Sequence, residues 1–376
     1  MKSNYKRLGD YISFVDNRNR NLEIENLIGL STRKIFIPSI SNTIGTDMST
    51  YRIINTNQFA FCPVTSRNSE KITIAIYQEN KTAMISQAYD VFKVNDEEEL
   101  MPEYLMMWCR RPEFDRYARF ISHGSVREMF SWEDMCDVKL PIPPIEKQKE
   151  IVKEYNTLTQ RIKLNETLIK KLEETAQAIY KHWFVDFEFP DADGQPYKSN
   201  GGEMIESELG EIPVGWRVGE LKLIISFKNG KVKPNTKGSF PVYGGNGITD
   251  FVNKFNEEDA IIIGRVGAYC GSLFMVKKKC WVSDNAISAK ANDNLNRFGF
   301  YVLDNLKINE RSEGTGQPLI TQNLLNEIKL VIPTKLKIEE FEKHMVIISN
   351  KKELKSQELS ILETLKILLL SKLATQ

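Results

Sequence analysis

The side chains able to act as general bases or metal ligands are few and far apart. Histidine occurs only at His123, His182 and His344, and none stands near another histidine or a cysteine at metal-ligand spacing. Cys62, Cys109, Cys136, Cys270 and Cys280 are odd in number, scattered and never in a CxxC pattern. That distribution fits buried or idle thiols rather than a disulfide frame or a zinc site. No GxSxG elbow presents a serine nucleophile, and no GxxxxGK[ST] loop cradles a nucleotide phosphate. The glycine-rich "YGGNGITD" at 243–250 is followed neither by a long helical pattern nor by an acidic residue closing a second strand. Tight turns explain it better than a dinucleotide or S-adenosylmethionine fold. The sequence therefore predicts no catalytic residue and no metal ligand in this chain.

If the chain does no chemistry of its own, its organisation must carry the argument. At 376 residues it is long enough for two domains, and 41% hydrophobic with 27% charged residues is the balance of a globular protein with a buried core. "MKSNYKRLGDYISF" has no apolar core of the length a secretion signal needs, and no apolar run approaches the roughly 20 residues that span a bilayer. The expected location is cytoplasmic. A net charge of +1 sits awkwardly with a chain that grips a long polyanion alone, so any such contact has to use local positive edges.

The chain writes one stop and start twice. "LPIPPIEKQKEIV" at 140–152 is echoed by "LVIPTKLKIEEFE" at 330–342, and Gly124/Gly314, Lys139/Lys329, Leu140/Leu330, Ile142/Ile332 and Pro143/Pro333 all share one gapless offset of 190. Intervening positions agree in kind, as at Met135/Leu325 and Asp137/Glu327. That is an internal repeat. The copies also begin alike, "YKRLGDYI" from Tyr5 against "WRVGELKLI" from Trp216; this offset of 211 gives the first copy about 21 extra residues. Between the copies, residues 187–215 are rich in Gly, Pro, Ser and acids, the composition of a connector that need not bury a core. The globular parts read as mixed α/β, with strands in "KITIAIY", "YDVFKV", "DAIIIGRV" and "SLFMVKK" and a helix in "ELMPEYLMMWCRR".

After each proline stop comes a long amphipathic helix. Ile151, Tyr155, Leu158, Ile162, Asn165, Ile169, Leu172, Ala176, Ile179 and Trp183 alternate steps of four and three, a heptad seam of about 40 residues. Such a helix rises roughly 60 Å, and its one polar entry, Asn165, is expected to set register. Pro143 and Pro144 cannot continue a helix backwards, which fixes its start. The second helix runs to about Ala374, with Ile338, Phe341, Met345, Ile348, Leu359, Leu362, Leu369 and Leu373 roughly in register and Leu354, Ile361, Leu365 and Leu368 on a neighbouring stripe. The two helices can satisfy each other as an antiparallel coiled coil, while the leucine-rich "LETLKILLLSKLA" leaves a surplus apolar strip for helices of another protein.

"SHGSVREMFSWEDMCDVKLPIPPIEKQKEIV", "LEETAQAIYKHWFVDFEFP" followed by "SELGEIPVGW", and, later, "FPVYGGNGITD", "AIIIGRVGAYCGS" and "VSDNAISAK" carry a family resemblance. Over nearly its whole length the chain resembles the specificity (S) subunit of type I restriction-modification enzymes. The resemblance implies a non-catalytic subunit whose two α/β (α+β) target-recognition domains, in tandem and related by a pseudo-two-fold repeat, each read one half of a bipartite DNA site. Two antiparallel conserved helices hold the domains apart and dock two methyltransferase subunits, and restriction subunits join through those. The chain itself then binds no cofactor: S-adenosylmethionine belongs to the methyltransferase partner, ATP and Mg to the restriction partner. The second copy departs from the family pattern at "IPTKLKIEEFE", where the double proline and the glutamine are lost.

The division expected is 1–144 first recognition domain, 145–186 central helix, 187–215 linker, 216–333 second recognition domain and 334–376 C-terminal helix. Base edges are read by Arg, Lys, Asn, Gln and Ser on loops. That singles out Arg67 and Asn68 in the first domain and Arg265 in the second, Ser86 and Gln87 matched by offset with Ser283 and Asn285, and the loop residues Arg127, Gln317 and Asn246. Arg33 and Lys34 in "STRK", with the run Lys277 to Lys279, are candidates for phosphates. Partner contacts are expected on Ile151, Leu158, Ile162, Leu172, Ile179, Ile348, Leu362 and Leu369. Two readings of other classes compete: an autonomous single-chain nuclease built on scattered carboxylates, and a structural coiled-coil tether joining two unrelated protein-binding domains.

Overall fold

The computed structural model describes residues 5–39, 45–65, 71–122, 128–311 and 318–375. It has two compact units, Met1–Asn165 with Glu358–Gln376, and Glu166–Gln357. The first contains strands β1 (Tyr5–Arg7), β2 (Ile12–Val15), β3 (Leu27–Ser31), β4 (Ile35–Pro38), β5 (Arg52–Ile54), β6 (Phe59–Phe61), β7 (Ile74–Ile76), β8 (Ala83–Ile85) and β9 (Asp90–Val94). Helices α1 (Pro102–Cys109), α2 (Pro112–Ile121) and α3 (Trp132–Asp137), strand β10 (Lys139–Pro141) and the start of α4 (Ile145–Phe184) follow. The second contains the rest of α4, a short pair β11 (Met204–Ile205) and β12 (Ile212–Pro213), then β13 (Arg217–Glu220), β14 (Ile225–Asn229), β15 (Lys237–Gly244) and β16 (Gly247–Val252). It continues through β17 (Ala260–Gly264), β18 (Leu273–Val276), β19 (Trp281–Val282), β20 (Ala286–Ala291), α5 (Asn296–Asn305), α6 (Gln322–Glu327), β21 (Lys329–Ile332) and the first part of α7 (Lys335–Lys372).

The repeat is a repeat of topology. One four-stranded antiparallel sheet runs β2-β9-β6-β7 in the first unit and β14-β20-β17-β18 in the second. A second sheet places a parallel pair beside a hairpin, β4-β3-β8 in one unit and β16-β15-β19 in the other. The central strands β6 (FAF) and β17 (AIIIG) are buried end to end, as is the edge strand β7 (IAI), because the sheet is covered on both faces. Ser131 and Thr321, 190 apart, both cap the N-terminus of a six-residue helix, accepting from Asp134 N and Leu324 N. The first copy adds β5 and α2; the second has only a 3-10 turn, Ile308–Arg311, after α5.

The structure corrects the alignment of the two beginnings. Leu8, fully buried, donates its N–H to Val138 O at 2.8 Å, and Leu221, fully buried, donates to Ile328 O at 2.8 Å. These are the matching pair, so the glycines Gly9 and Gly219 that suggested the alignment are not equivalent. The connector is also more than a polar tether. Phe189 is buried, stacked 5.0 Å from Trp216 and 4.6 Å from Tyr197, with the Lys337 ammonium donating to Pro190 O at 2.7 Å.

Both long helices begin where the prolines end their strands. Lys147 N donates to Pro144 O at 2.8 Å, and Ile338 N to Thr334 O at 3.2 Å. In the first unit Arg161 pairs with Glu358 at 2.6 Å and the Lys366 ammonium lies over the Tyr155 ring. In the second, Glu173 pairs with Lys352, and Tyr180 and Trp183 pack on Phe341. Rising numbers on α4 meet falling numbers on α7 in each case, which is antiparallel pairing.

Each copy pins its domain helix to its long helix with one buried polar side chain, but from different positions. Gln148 is completely buried; its Oε1 accepts from Met101 N at 2.9 Å and its Nε2 donates to Glu99 O at 2.8 Å and Pro143 O at 2.9 Å. The residue 190 further on is Ile338. Glu342, one turn later, takes over by accepting from Phe298 N at 3.0 Å and pairing with Arg297 at 2.9 Å. The glutamine lost from the second copy is thus replaced in function. Gln148→Leu leaves three part-buried backbone groups without their side-chain partner and is expected to cost about 2–4 kcal/mol, read as a lower urea midpoint at unchanged slope; an unchanged midpoint would show the clamp to be idle.

Candidate nucleic-acid interface

In the second unit, four loops come together beyond the ends of β15, β17, β19 and before α6. Arg265 N donates to Asn285 O at 3.0 Å, Ser283 N to Tyr243 O at 2.9 Å, and Ser272 Oγ to Gly245 O. Gly267 N donates to Pro318 O at 3.1 Å, and Ile320 N to Arg265 O at 2.9 Å. Asn246, Arg265, Ser283 and Asn285 therefore share one loop cluster; Gln317 lies outside the described residues, next to Pro318. Asn246 and Asn285 are exposed. Arg265 is half-buried with its Nε lacking a hydrogen-bond partner, a donor with unmet capacity at the edge of the cluster. Ser283 is buried and differs from the others: its carbonyl sits where a Cβ on Gly230 would lie 1.8 Å away, so it serves backbone packing.

Next to this cluster the β15–β16 hairpin carries cations that are already engaged. Lys233 and Lys237 both bind the Asp250 carboxylate, and these hydrogen bonds hold it well below the usual carboxylate range. Lys277 lies 3.4 Å from Glu353, and Lys279 stands over the Phe255 ring.

The first unit builds the same corner. Phe130 N donates to Pro63 O at 2.8 Å and Thr65 N to Glu128 O at 3.0 Å, and the bridge Val64–Met129 repeats the bridge Val266–Leu319. Pro63, not Arg67, is the structural counterpart of Arg265. Arg67, Asn68 and Arg127 lie outside the described residues. Ser86 is half-buried and its Oγ accepts from Ala88 N at 3.4 Å, while Gln87 is exposed.

Arg33 is exposed in the β3–β4 turn, but Lys34 is not a phosphate ligand. Its ammonium is buried, 2.7 Å from Asp115 Oδ1 and donating to Cys109 O at 2.5 Å, and its φ of +60° turns the side chain inward. Asp115 also accepts from Ile72 N at 3.1 Å, so the pair ties the hairpin to α1 and α2. Sequence alone gives no sign of this, because the partner lies far along the chain.

The expected partner-binding residues also need correction. Ile151 and Ile162 are buried, and Leu172, Ile179, Ile348 and Leu362 are half-buried on the inner seam, where they serve the chain's own helix pairing and domain cores, whereas Leu158 and Leu369, also half-buried, line an open groove. The exposed apolar side chains are those of the neighbouring stripe. In the first unit Ile361 is 61%, Leu365 45% and Leu368 51% exposed, and Leu365 and Leu368 line an apolar groove of about 500 Å³ with Leu158, Leu369, Lys153 and Lys372. In the second unit Ile347 and Leu354 are exposed in the same way.

Among the described residues no three His, Cys, Asp or Glu side chains converge as for a metal ion, and no helix is long and apolar enough to cross a membrane. None of the five cysteines is in a disulfide.

The chain is 29% identical over 97 residues to the EcoprrI specificity subunit of a type I restriction enzyme from Escherichia coli, a match covering 25% of this chain and 24% of the relative. It is 30% identical over 112 residues to the HindI specificity subunit from Haemophilus influenzae, covering 29% and 24%. The MjaIX specificity subunit from Methanocaldococcus jannaschii is 29% identical over 136 residues, covering 36% and 30%. These matches span only 24–30% of the relatives' length. The fold is that of the S subunit of a type I restriction-modification system from M. genitalium, with TM-score 0.64, 17% identity and coverage of 98% of this chain and 95% of that one. A chain from a structural study of complex assembly and conformational transition in the type I R-M system matches at TM-score 0.51 and 18% identity, covering 98% and 96%. The profile of the type I restriction modification DNA specificity domain matches residues 13–174 and again 213–365, one match over each copy of the repeat. The chain belongs to the type I restriction modification DNA specificity domain family.

Proposed function

We propose that this chain is the DNA-reading, non-catalytic subunit of a type I restriction-modification complex. In this reading residues 1–144 and 216–333 are the two recognition domains, 145–186 and 334–376 the helical spacer, and 187–215 the linker. Each domain reads one half of a bipartite site in double-stranded DNA, and the paired helices set the distance between the halves. Two methyltransferase subunits dock on the spacer, and restriction subunits join through them; S-adenosylmethionine, ATP and Mg stay with those partners. The observation that carries the reading is the duplication itself: two sheets of identical strand order, each ending in the same corner of loops, on helices paired antiparallel. Two like readers with approximate two-fold symmetry suit two half-sites about one helical turn apart. A tether between unrelated domains does not call for like topologies, and a nuclease does not call for either helix.

A near-neutral chain suits this role because partners share the phosphate contacts, leaving base edges to the loops. The test is a genome-wide map of methylated adenines in cells carrying the complex. Two short defined half-sites with an unspecified spacer are expected. Arg265→Ala should relax one half only and weaken binding to the target about 10- to 100-fold, with binding to unrelated DNA nearly unchanged. A single contiguous motif, or relaxation of both halves, would contradict the assignment of one domain to one half-site.

A further inference from the structure

The polar loop cluster of the second unit has an aromatic ring standing out of it. Tyr269 is 53% exposed, at the end of a 3-10 turn, Gly267–Tyr269, between Arg265 and Asn246. An exposed ring on a floppy loop would mean little, but this turn is fixed. Cys270 N donates to Gly267 O at 2.9 Å, Gly271 N to Gly264 O at 2.8 Å and Ser272 N to Tyr269 O at 3.1 Å. The backbone that seats it admits no side chains: a Cβ on Gly264 would come within 2.3 Å of Tyr269 O, and one on Gly271, at φ +85°, within 2.5 Å of Asn309 N. The Tyr269 Cβ lies 3.7 Å from where a Cβ on Gly245, the residue before Asn246, would stand.

An exposed aromatic on a fixed turn beside hydrogen-bond donors is poorly explained by folding, since burial would favour turning it inward. It is well explained by what the donors face. In the major groove three base-pair features accept or donate hydrogen bonds, and one feature is apolar, the C5-methyl of thymine. We infer that Tyr269 packs against the methyl group of a thymine in the half-site read by the second domain, beside base edges contacted by Arg265, Asn246 and Asn285. This rests on the DNA-reading role proposed above, and adds a specificity residue and a content to the target. Ile248, 51% exposed on β16, and Val232, 75% exposed beside the Lys231–Ser283 bridge, are further exposed apolar side chains near the cluster.

The test uses the full chain assembled with its methyltransferase subunits, on duplexes carrying the mapped motif. Each thymine of the second half-site is replaced singly by deoxyuridine, which removes the methyl and nothing else. One replacement should weaken binding about 3- to 10-fold. With Tyr269→Ala that difference should vanish, while Tyr269→Phe keeps it. The inference falls if no replacement couples to Tyr269, if the sensitive thymine couples to Ile248→Ala instead, or if the half-site holds no thymine. Should Arg265→Ala still weaken target binding in those cases, the reading role survives and only the tyrosine assignment fails; loss of all sequence selectivity would overturn both.

Discussion

Replacing Phe341 by alanine should be the most damaging single substitution in the second unit. The ring is completely buried, and five others surround it: Phe184 at 5.1 Å, Tyr180 at 5.9 Å, Trp183 and Tyr301 at 6.0 Å, and Phe298 at 6.2 Å between centroids. Three of these come from α4 and two from α5, so one side chain of α7 holds the helix pair and the recognition domain together. Truncation removes the transfer energy of the ring and leaves a cavity whose walls are large aromatics that cannot collapse into it. A loss of about 3–5 kcal/mol is expected, against about 1–2 kcal/mol for Phe341→Leu, which keeps most of the volume. Urea unfolding followed by tryptophan fluorescence reads this directly, because Trp183 and Trp216 report from the same cluster. If Phe341→Ala unfolded at the midpoint of the unchanged chain, the aromatic cluster would not be what joins spacer to domain. The counterpart 190 residues earlier is Ile151, also buried, which is why that residue serves the core and not a partner.

What the sequence disclosed, and what it hid, follows from how local each signal is. The helix starts were legible because proline acts on its own backbone: α4 opens directly after Pro144 and α7 two residues after Pro333. The seam was legible because a heptad is periodic; Ile151, Tyr155, Ile162, Ala176 and Trp183 are all buried, and so is Asn165, whose Nδ2 has no hydrogen-bond partner across the seam of the kind a register residue would make. The outer stripe of α7 was legible for the same reason. Which stripe faces a partner was not, since periodicity marks an apolar face without saying what covers it. Lys34 and Asp115, or Pro63 and Arg265, are matched only by tertiary geometry, and no spacing rule relates them. The start of the repeat misled because a glycine and an acid recur by chance three positions from the true register, which the Leu8 and Leu221 hydrogen bonds set.

Lysine at both Leu365 and Leu368 should leave the chain folded and take away its partner. Both side chains are about half exposed and point into an apolar groove rather than the inner seam, so charging them buries no charge; substitutions of this kind usually change stability by no more than about 0.5 kcal/mol. The same positions lie on α7, a spacer helix on which the proposed methyltransferase subunits would dock, and line its apolar groove with Lys153 and Lys372. Apolar anchors at the centre of an interface are worth about 2 kcal/mol or more each, and a lysine there must also be desolvated without a partner charge. Together the two substitutions are expected to weaken assembly about 1,000-fold or more, seen as loss of co-purification and of DNA methylation at an unchanged urea midpoint. Leu370→Lys is the contrast: Leu370 is buried in the core of the first unit, so that change should cost several kcal/mol of stability, read as a lower midpoint, before assembly is tested at all. Assembly at full strength with Leu365→Lys/Leu368→Lys would mean that the methyltransferase docks elsewhere and that this groove is not its seat.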